Sequence, residues 1–215
     1  MKKLVIFDVD GTLLDTEEDL FICVNEVVSR FGCPSVDKDA IKRANGKEAH
    51  AFMRYLVGDE VSKEQIQEIW DEYTKLIAIK GADKTKLFDG LSEVIFELEK
   101  RGYVLGVLTN KAADEMPIFM QKILCKLPFA EVLAVGGTKD AKPNPNVILR
   151  LLEKYGVEKE NTFMVGDGES DVAVAINAGV NCIAVLWGNR TREELASVGA
   201  TVFANEAEEL LDIIG

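Results

Sequence analysis

The chain has 215 residues, of which 47% are hydrophobic; this composition excludes a disordered protein and allows one sizeable core with a smaller lobe. Its formal net charge of −12 opposes non-specific attraction to phosphate backbones, so we expect no nucleic-acid partner. The four cysteines show no C-x-x-C spacing, and no apolar run reaches the length of a membrane span, so we expect a cytoplasmic protein without a membrane partner.

The first predicted element is a buried strand at residues 4–7, and two carboxylates, Asp8 and Asp10, follow it. Side chains two positions apart in an extended chain project to the same side, so we expect these two to share one pocket. Like charges at close range need a cation or a proton between them, and oxygen ligands favour a hard divalent ion, with Mg²⁺ as the default. The alternative that these residues leave open is an ordinary turn in which Thr12 caps a helix.

Residues from about 16 to 86 show helical periodicity and no convincing strand. Leu20, Val24 and Val27 recur on one face of a first helix, which Gly32 and Pro34 end. Further helices are predicted around residues 50–57 and 62–79. The pattern indicates an all-helical insertion.

From residue 87 onward, short runs rich in β-branched residues alternate with amphipathic helices. Strands separated by helices favour βαβ crossovers and therefore an α/β fold with a Rossmann-like parallel sheet. We expect a core domain of residues 1–15 and 87–215 and a cap domain of residues 16–86. The later strands are predicted at 103–108, 131–135, 162–165, 181–185 and 201–203.

Polar residues follow several of these predicted strands. Thr109 and Asn110 come after one strand, Asp167 and Asp171 after another, and Lys142 lies in a proline-containing loop between them. Ligands of parallel sheets bind beyond the carboxyl ends of the strands, so we expect these side chains to converge with the first pair of aspartates. Taken singly, each also fits an ordinary solvated lysine, a helix cap or a turn.

Together these motifs make the chain resemble the haloacid dehalogenase superfamily of aspartyl-phosphate enzymes. The superfamily combines D-x-D-G-T, a Thr or Ser at a strand end, a Lys and an acidic G-D-x-x-x-D, and all four occur here in order. The helical block corresponds to the small cap of that fold. The sequences of the segments DGTLLDT, LTNK, AKPNP and AVLWGNRTREEL are most similar to the phosphoglycolate phosphatase-like branch.

The resemblance implies a Mg²⁺-dependent hydrolase of small phosphorylated metabolites. Asp8 would attack phosphorus and form a phosphoaspartate, and Asp10 would be the general acid and base. Asp8, the backbone carbonyl of Asp10, and Asp167 would hold Mg²⁺, with Asp171 either a further ligand or a support for the ligands.

The resemblance also assigns the phosphoryl group to neighbouring residues. Thr109, helped by Asn110, would bind its oxygens, and Gly11 would let backbone amides approach it. Lys142 would neutralise the developing charge and pair with Asp8.

Substrate choice is expected to come from the cap. Lys47 and Arg54 fall at near-helical spacing around His50 and are candidates for contacting an anionic substrate, although a solvated helix face fits the same pattern. His50 is interpreted as structural or exposed, and Trp187 as a packing residue without a catalytic role. The sequence leaves open whether the protein is a monomer or a homodimer.

Two positions depart from the family's pattern. Gly168 replaces a usual Ser or Thr, and Asp89-Gly90 replaces a usual Pro-Gly. Neither change removes a predicted catalytic group, so they bear on the branch rather than on the chemistry.

Two other functions fit part of the pattern. A β-phosphoglucomutase-like sugar phosphomutase would use the same phosphoaspartate but return the phosphoryl group to a sugar. A receiver-type phosphoacceptor combines similar residues on a parallel α/β fold, but it does not account for Asp8-x-Asp10 or for the helical insertion.

Overall fold

The structure, a computed structural model, describes residues 2–215. Within that range it contains eight strands, ten α-helices and two short 3-10 helices, at Leu124–Lys126 and Lys159–Asn161. The strands are β1 (Leu4–Phe7), β2 (Leu14–Asp15), β3 (Lys86–Leu87), β4 (Val104–Thr109), β5 (Glu131–Ala134), β6 (Thr162–Gly166), β7 (Asn181–Val185) and β8 (Phe203–Ala204). The helices are α1 (Glu17–Arg30), α2 (Lys38–Ala44), α3 (Ala49–Val57), α4 (Lys63–Lys80), α5 (Leu91–Lys100), α6 (Met116–Lys122), α7 (Asn146–Tyr155), α8 (Glu169–Ala178), α9 (Arg192–Ser197) and α10 (Glu209–Ile214).

Six strands form one parallel sheet in the order β5-β4-β1-β6-β7-β8. β1 lies in the interior of this sheet, where Phe7 stands opposite Val107 of β4 and Val165 of β6. The carboxyl ends of all six strands therefore meet at one edge, which brings the residues that follow β1, β4 and β6 together. The predicted α/β class with a parallel sheet is confirmed.

The sheet is covered on both faces. Val5 and Phe7 belong to the larger apolar cluster, which also includes residues of α5, α6 and the helices before residue 86. Leu4 and Ile6 belong to a second cluster with residues of α7 and α8. Because strand side chains alternate between faces, a fully buried four-residue strand serves both clusters at once.

Helices α1 to α4 lie between β2 and β3, and we call residues 16–86 the helical insertion. β2 and β3 pair antiparallel, with Leu14 opposite Leu87 and Asp15 opposite Lys86. The expectation of no strand up to residue 86 is therefore wrong at Lys86, because a two-residue strand has no periodicity that a sequence could reveal. The domain boundaries themselves stay a prediction.

Helix α2 was not predicted from the sequence either. It has only seven residues, too few for a clear apolar stripe, and Asp37 caps it by accepting a hydrogen bond of 2.7 Å from the backbone N–H of Ala40. Within residues 2–215, no helix combines the length and the apolar character needed to cross a membrane.

Candidate active site

Asp8 is the first residue after β1, at the carboxyl edge of the sheet. Its backbone N–H donates a 2.9 Å hydrogen bond to the carbonyl oxygen of Val165, so the ladder with β6 continues to this position. The side chain is buried. Burial, reinforced by the carboxylate of Asp171, raises the pKa of Asp8 to about 7, although the ammonium of Lys142 acts in the opposite direction.

Two further carboxylates face Asp8. Asp167 follows β6 and Asp171 lies in the first turn of α8, and one oxygen from each of the three residues lies within 4.8 Å of the others. Burial and the proximity of Asp8 raise the pKa of Asp167 to about 6, and burial also raises that of Asp171. Three buried carboxylates this close repel one another, and they offer only oxygen ligands. The donor set therefore fits a hard divalent cation such as Mg²⁺.

Lys142 is the cation that already contacts this cluster. Its buried Nζ lies 2.7 Å from Oδ1 of Asp8 and 2.7 Å from Oδ1 of Asp171. Burial lowers the pKa of Lys142, but Asp171 and Asp8 raise it by more, so the side chain stays an ammonium. Its contact with Asp8 is the pairing that the sequence predicted, and Asp171 is a second partner that was not foreseen.

Thr109 and Asn110 lie at the end of β4 and line the same cleft as Asp8. Thr109 is buried, and its hydroxyl accepts a 3.2 Å hydrogen bond from the backbone N–H of Lys111. The side-chain amide of Asn110 makes two hydrogen bonds to the backbone of Lys142. Its Oδ1 accepts from the N–H of Lys142 at 2.7 Å, and its Nδ2 donates to the carbonyl oxygen of Lys142 at 3.0 Å. In this structure Asn110 holds the loop that carries Lys142 instead of leaving its amide free for a phosphoryl oxygen.

The carboxylate of Asp10 lies outside the acidic cluster. It accepts hydrogen bonds from the hydroxyl of Thr16 at 2.7 Å and from Nζ of Lys111, which lies 3.0 Å from both of its oxygens. The expectation that the carboxylates of Asp8 and Asp10 share a cation is wrong in its geometry, because the extended chain ends at Phe7 and a turn follows. Both residues still line one cleft.

Asn189 and Thr12 fix the orientation of Asp167. The backbone N–H and Nδ2 of Asn189 donate to Oδ2 of Asp167 at 2.7 and 2.9 Å, and the hydroxyl of Thr12 donates to Oδ1 at 2.9 Å. Gly11, at φ +80°, passes so close that a Cβ would lie less than 3.0 Å from Asn189 Nδ2 and Asp167 Oδ2. Trp187 donates from Nε1 to the carbonyl of Thr12 at 3.0 Å, a packing role. Asn189 follows a predicted strand, and the sequence predicted that Trp187, Gly188 and Asn189 would close the edge of the site at that point.

Arg190, in the loop after β7, connects the core to the helical insertion. Its guanidinium donates to three backbone carbonyls at and beyond the end of α2, those of Lys42 at 2.7 Å, Arg43 at 3.1 Å and Asn45 at 3.2 Å. Its Nε donates to the carboxylate of Glu169 at 2.9 Å. The last carbonyls of a helix lack internal partners, which explains why a cation is stable there. Sequence analysis missed this residue.

Lys111 and Glu115 form a second buried pair that sequence analysis did not identify. Lys111 Nζ contacts Asp10 and lies 3.4 Å from Oε2 of Glu115. Burial raises the pKa of Glu115 to about 7, although Lys111 acts against this rise. Oε1 of Glu115 has no hydrogen-bond partner among residues 2–215. The available signal was the i,i+4 spacing of a Lys and a Glu directly after the polar end of β4.

The helical insertion covers the cleft with aromatic side chains. Phe52 of α3 and Trp70 and Tyr73 of α4 line it. Their ring centroids are 5.4 Å (Trp70 to Tyr73), 5.8 Å (Phe52 to Tyr73) and 6.4 Å (Phe52 to Trp70) apart. Such a wall is apolar, so charge recognition in the cleft has to come from other residues.

The predicted cap cations are placed differently from each other. Lys47 lines the cleft, with Nζ 5.4 Å from the ring centroid of Tyr55. Arg54 does not line it, because its guanidinium donates to loop carbonyls that include those of Val61 and Gly58, between α3 and α4. The assignment of Arg54 to substrate is therefore not supported by its position. His50 is exposed, and its Nε2 lies 2.6 Å from Oε1 of Gln67.

Known proteins are similar to this chain along most of its length. Residues 5–185 match the family model described as haloacid dehalogenase-like hydrolase. A phosphoglycolate phosphatase of Rhodospirillum rubrum is 30% identical, over 100% of this chain and 92% of the relative. An N-acetylmuramic acid 6-phosphate phosphatase of Pseudomonas aeruginosa is 27% identical, over 99% of this chain and 94% of the relative.

A solved structure shows the same fold. A haloacid dehalogenase-like family hydrolase of Streptococcus pneumoniae superposes with a TM-score of 0.86 at 22% identity, covering 99% of this chain and 98% of the other.

Proposed function

This chain belongs to the haloacid dehalogenase-like hydrolase family, and we propose that it hydrolyses small phosphate monoesters through a phosphoaspartate on Asp8, with Mg²⁺ as its cofactor. The observation that carries the proposal is the convergence of Asp8, Lys142, Asp167 and Asp171 at the carboxyl edge of the sheet. No single one of these residues is by itself diagnostic of phosphoryl transfer. A buried nucleophile, a buried ammonium and a site for a divalent cation together provide what that reaction requires.

The reaction would proceed in two displacements. An oxygen of Asp8 attacks phosphorus, the bond to the leaving oxygen breaks, and Asp10 donates a proton to that oxygen. A water molecule then attacks the phosphoaspartate, gives its proton to Asp10, and releases inorganic phosphate and free Asp8. The carboxylate of Asp10, held by Lys111 and Thr16, stays outside the acidic cluster and available for this proton transfer.

Two residues would stabilise the transferring group. Lys142 contacts the attacking carboxylate and can neutralise the charge that develops on the phosphoryl oxygens. The hydroxyl of Thr109 lies at the adjacent strand end and can donate a hydrogen bond to one of those oxygens.

Asp8, Asp167 and the backbone carbonyl of Asp10 would hold the metal ion, with Asp171 as a ligand or a support. When bound, Mg²⁺ would offset the repulsion between the carboxylates and the phosphate dianion. The hydrogen bonds from Thr12 and Asn189 to Asp167 keep that carboxylate oriented as a ligand.

The phosphoglycolate phosphatase-like branch makes 2-phosphoglycolate the first compound to assay, while the name of the Pseudomonas relative adds sugar phosphates to the candidates. We further propose that the substrate is a small phosphorylated metabolite of the cytoplasm and that neither nucleic acid nor membrane is a partner. The net charge of −12 supports this, because it repels polyanionic surfaces.

The test is release of inorganic phosphate with and without Mg²⁺ from a panel that contains 2-phosphoglycolate, hexose phosphates and p-nitrophenyl phosphate. Asp8→Asn should lower kcat by more than about 1,000-fold and yield no acid-stable, hydroxylamine-sensitive phosphoenzyme. The exposed Asp39→Asn is the matched control and should behave as the wild type. Turnover of Asp8→Asn at the wild-type rate would remove the nucleophile from Asp8.

A further inference from the structure

Glu115 is a buried carboxylate that the proposed reaction does not use. It lines the cleft together with Asp8, Asp10 and the aromatic residues of the helical insertion, and only about 2% of its surface is exposed. Oε2 lies 3.4 Å from the ammonium of Lys111, while Oε1 has no hydrogen-bond partner within residues 2–215. A buried acceptor without a donor is costly, so its presence at a ligand cleft points to a donor that arrives with the ligand.

Structural roles do not account for this carboxylate. Glu115 stands at the N-cap position of α6, but its side chain makes no capping hydrogen bond to that helix. As a counter-ion it would need only Oε2, and Lys111 already contacts both oxygens of Asp10. The free Oε1 is left unexplained by either role.

We propose, on the basis of the phosphatase function above, that Glu115 is a specificity-determining residue: Oε1 accepts a hydrogen bond from a hydroxyl group of the leaving alcohol, which makes phosphate monoesters of polyols the substrate class. In its ionised form, the side chain of Glu115 offers only acceptors, so it selects for a leaving group that donates a hydrogen bond.

The position of Glu115 suits a hydroxyl close to the ester oxygen. Lys111 contacts both Asp10, which would protonate the leaving oxygen, and Glu115. The ammonium of Lys111 therefore lies between Asp10, the proposed proton donor, and Glu115, the proposed hydrogen-bond acceptor. We expect a hydroxyl that is separated from the ester oxygen by two carbons to reach Oε1 of Glu115 when the ester oxygen contacts Asp10.

The same surroundings disfavour a leaving group that carries a carboxylate. Lys111 and Lys47 are the cations lining the cleft among the described residues, and Lys111 is already engaged by two carboxylates. Lys47 is exposed, with Nζ over the ring of Tyr55. The remaining covering surface is aromatic, which suits the carbon skeleton of an alcohol and offers no counter-charge.

A matched set of three esters tests the proposal. 2-Hydroxyethyl phosphate carries a hydroxyl where 2-phosphoglycolate carries a carboxylate, and ethyl phosphate carries neither. We expect the wild-type kcat/KM for 2-hydroxyethyl phosphate to exceed that for each of the other two by about tenfold or more, the effect of one hydrogen bond to a charged group.

Glu115→Gln keeps the shape of the side chain and adds a donor. We expect it to reduce the preference for 2-hydroxyethyl phosphate over 2-phosphoglycolate at least about tenfold, through a lower kcat/KM for the former and a higher one for the latter. A purely structural role of Glu115 would lower all three values together and leave their ratios unchanged. The exposed Glu60→Gln removes the same charge and should retain the wild-type ratios.

The outcomes separate this proposal from the phosphatase function. Metal-dependent hydrolysis with 2-phosphoglycolate or ethyl phosphate preferred by the wild type would overturn the role of Glu115 and leave the phosphatase function standing. This comparison needs no variant, so it decides the question even if Glu115→Gln does not fold. Absence of phosphate release from any ester, p-nitrophenyl phosphate included, would overturn both.

Discussion

Arg190 Nη1 donates a 2.7 Å hydrogen bond to the carbonyl oxygen of Lys42, the shortest of three contacts that join a core loop to the end of α2 in the helical insertion. Arg190 is itself buried and anchored by Glu169. The residues just beyond α2, Asn45 and Gly46, line the candidate active site. The contact therefore holds one wall of the cleft against the core.

Replacing Arg190 by Gln should weaken the closed arrangement of core and insertion. Loss of charge-assisted hydrogen bonds to these carbonyls corresponds to about 1–3 kcal/mol, so we expect KM to rise about tenfold with a smaller change in kcat. Amide hydrogen exchange of residues 42–46 should speed up. Arg30→Gln, which removes a half-exposed guanidinium paired with Glu26, is the control. Unchanged KM and exchange in Arg190→Gln would show that the contact does not hold the wall.

Asn189→Ala should weaken metal binding without removing a ligand. The side-chain amide donates to Oδ2 of Asp167, and groups that orient a ligand typically contribute 10- to 100-fold to metal affinity. The backbone N–H of residue 189 still donates to Asp167 in this variant. We therefore expect an effect at the lower end of that range, a Kd for Mg²⁺ about tenfold higher in calorimetric titration. Asn205→Ala, which removes an amide bound to Glu209 on the surface, should leave this Kd unchanged. An unaltered Kd in Asn189→Ala would contradict the orienting role.

Gly11→Ala should destabilise the site and the fold together. Its φ of +80° disfavours any side chain, and a Cβ would overlap Asn189 and Asp167. We expect the free energy of unfolding to fall by about 2–4 kcal/mol in denaturant titration. Gly32→Ala is the matched control, since Gly32 has φ +70° and no atom of the described residues lies within 4 Å of the added carbon; it should cost about 1 kcal/mol. Equal losses in the two variants would argue against the close approach at Gly11.

The metal-free protein should lose stability as the pH rises from 5.5 to 8. Burial raises the pKa values of Asp8, to about 7, and Asp167, to about 6, above those of the unfolded chain, so the folded state binds more protons in this range. Deprotonation then leaves like charges buried together. We expect these two carboxylates to lower the free energy of unfolding by on the order of 2 kcal/mol, measured by urea titration. Glu115, whose pKa burial also raises to about 7, should add a fall of similar size.

Saturating Mg²⁺ should reverse much of this fall at pH 8, because the ion supplies the missing positive charge. Greater stability of the metal-free protein at pH 8 than at pH 5.5 would contradict the raised pKa values of these buried carboxylates.

Local patterns were sufficient for the sheet and its edge. The apolar runs predicted β1 and β7 at their observed bounds and the other strands of the parallel sheet to within two residues at either end. The shortest elements were not predicted from the sequence. β2, β3 and α2 have too few residues for a period, so they exist through the tertiary contacts that surround them.

By itself, the sequence determined the α/β class, the carboxyl edge as the site and the set of groups that meet there, because strand and helix periods and the residues after each strand are local properties. Tertiary structure alone decided which groups touch. It separated the carboxylate of Asp10 from that of Asp8, brought Asn189 to Asp167, and left Oε1 of Glu115 without a hydrogen-bond partner among residues 2–215. Those relationships depend on side chains from distant segments meeting across loops, and no local period encodes their distances.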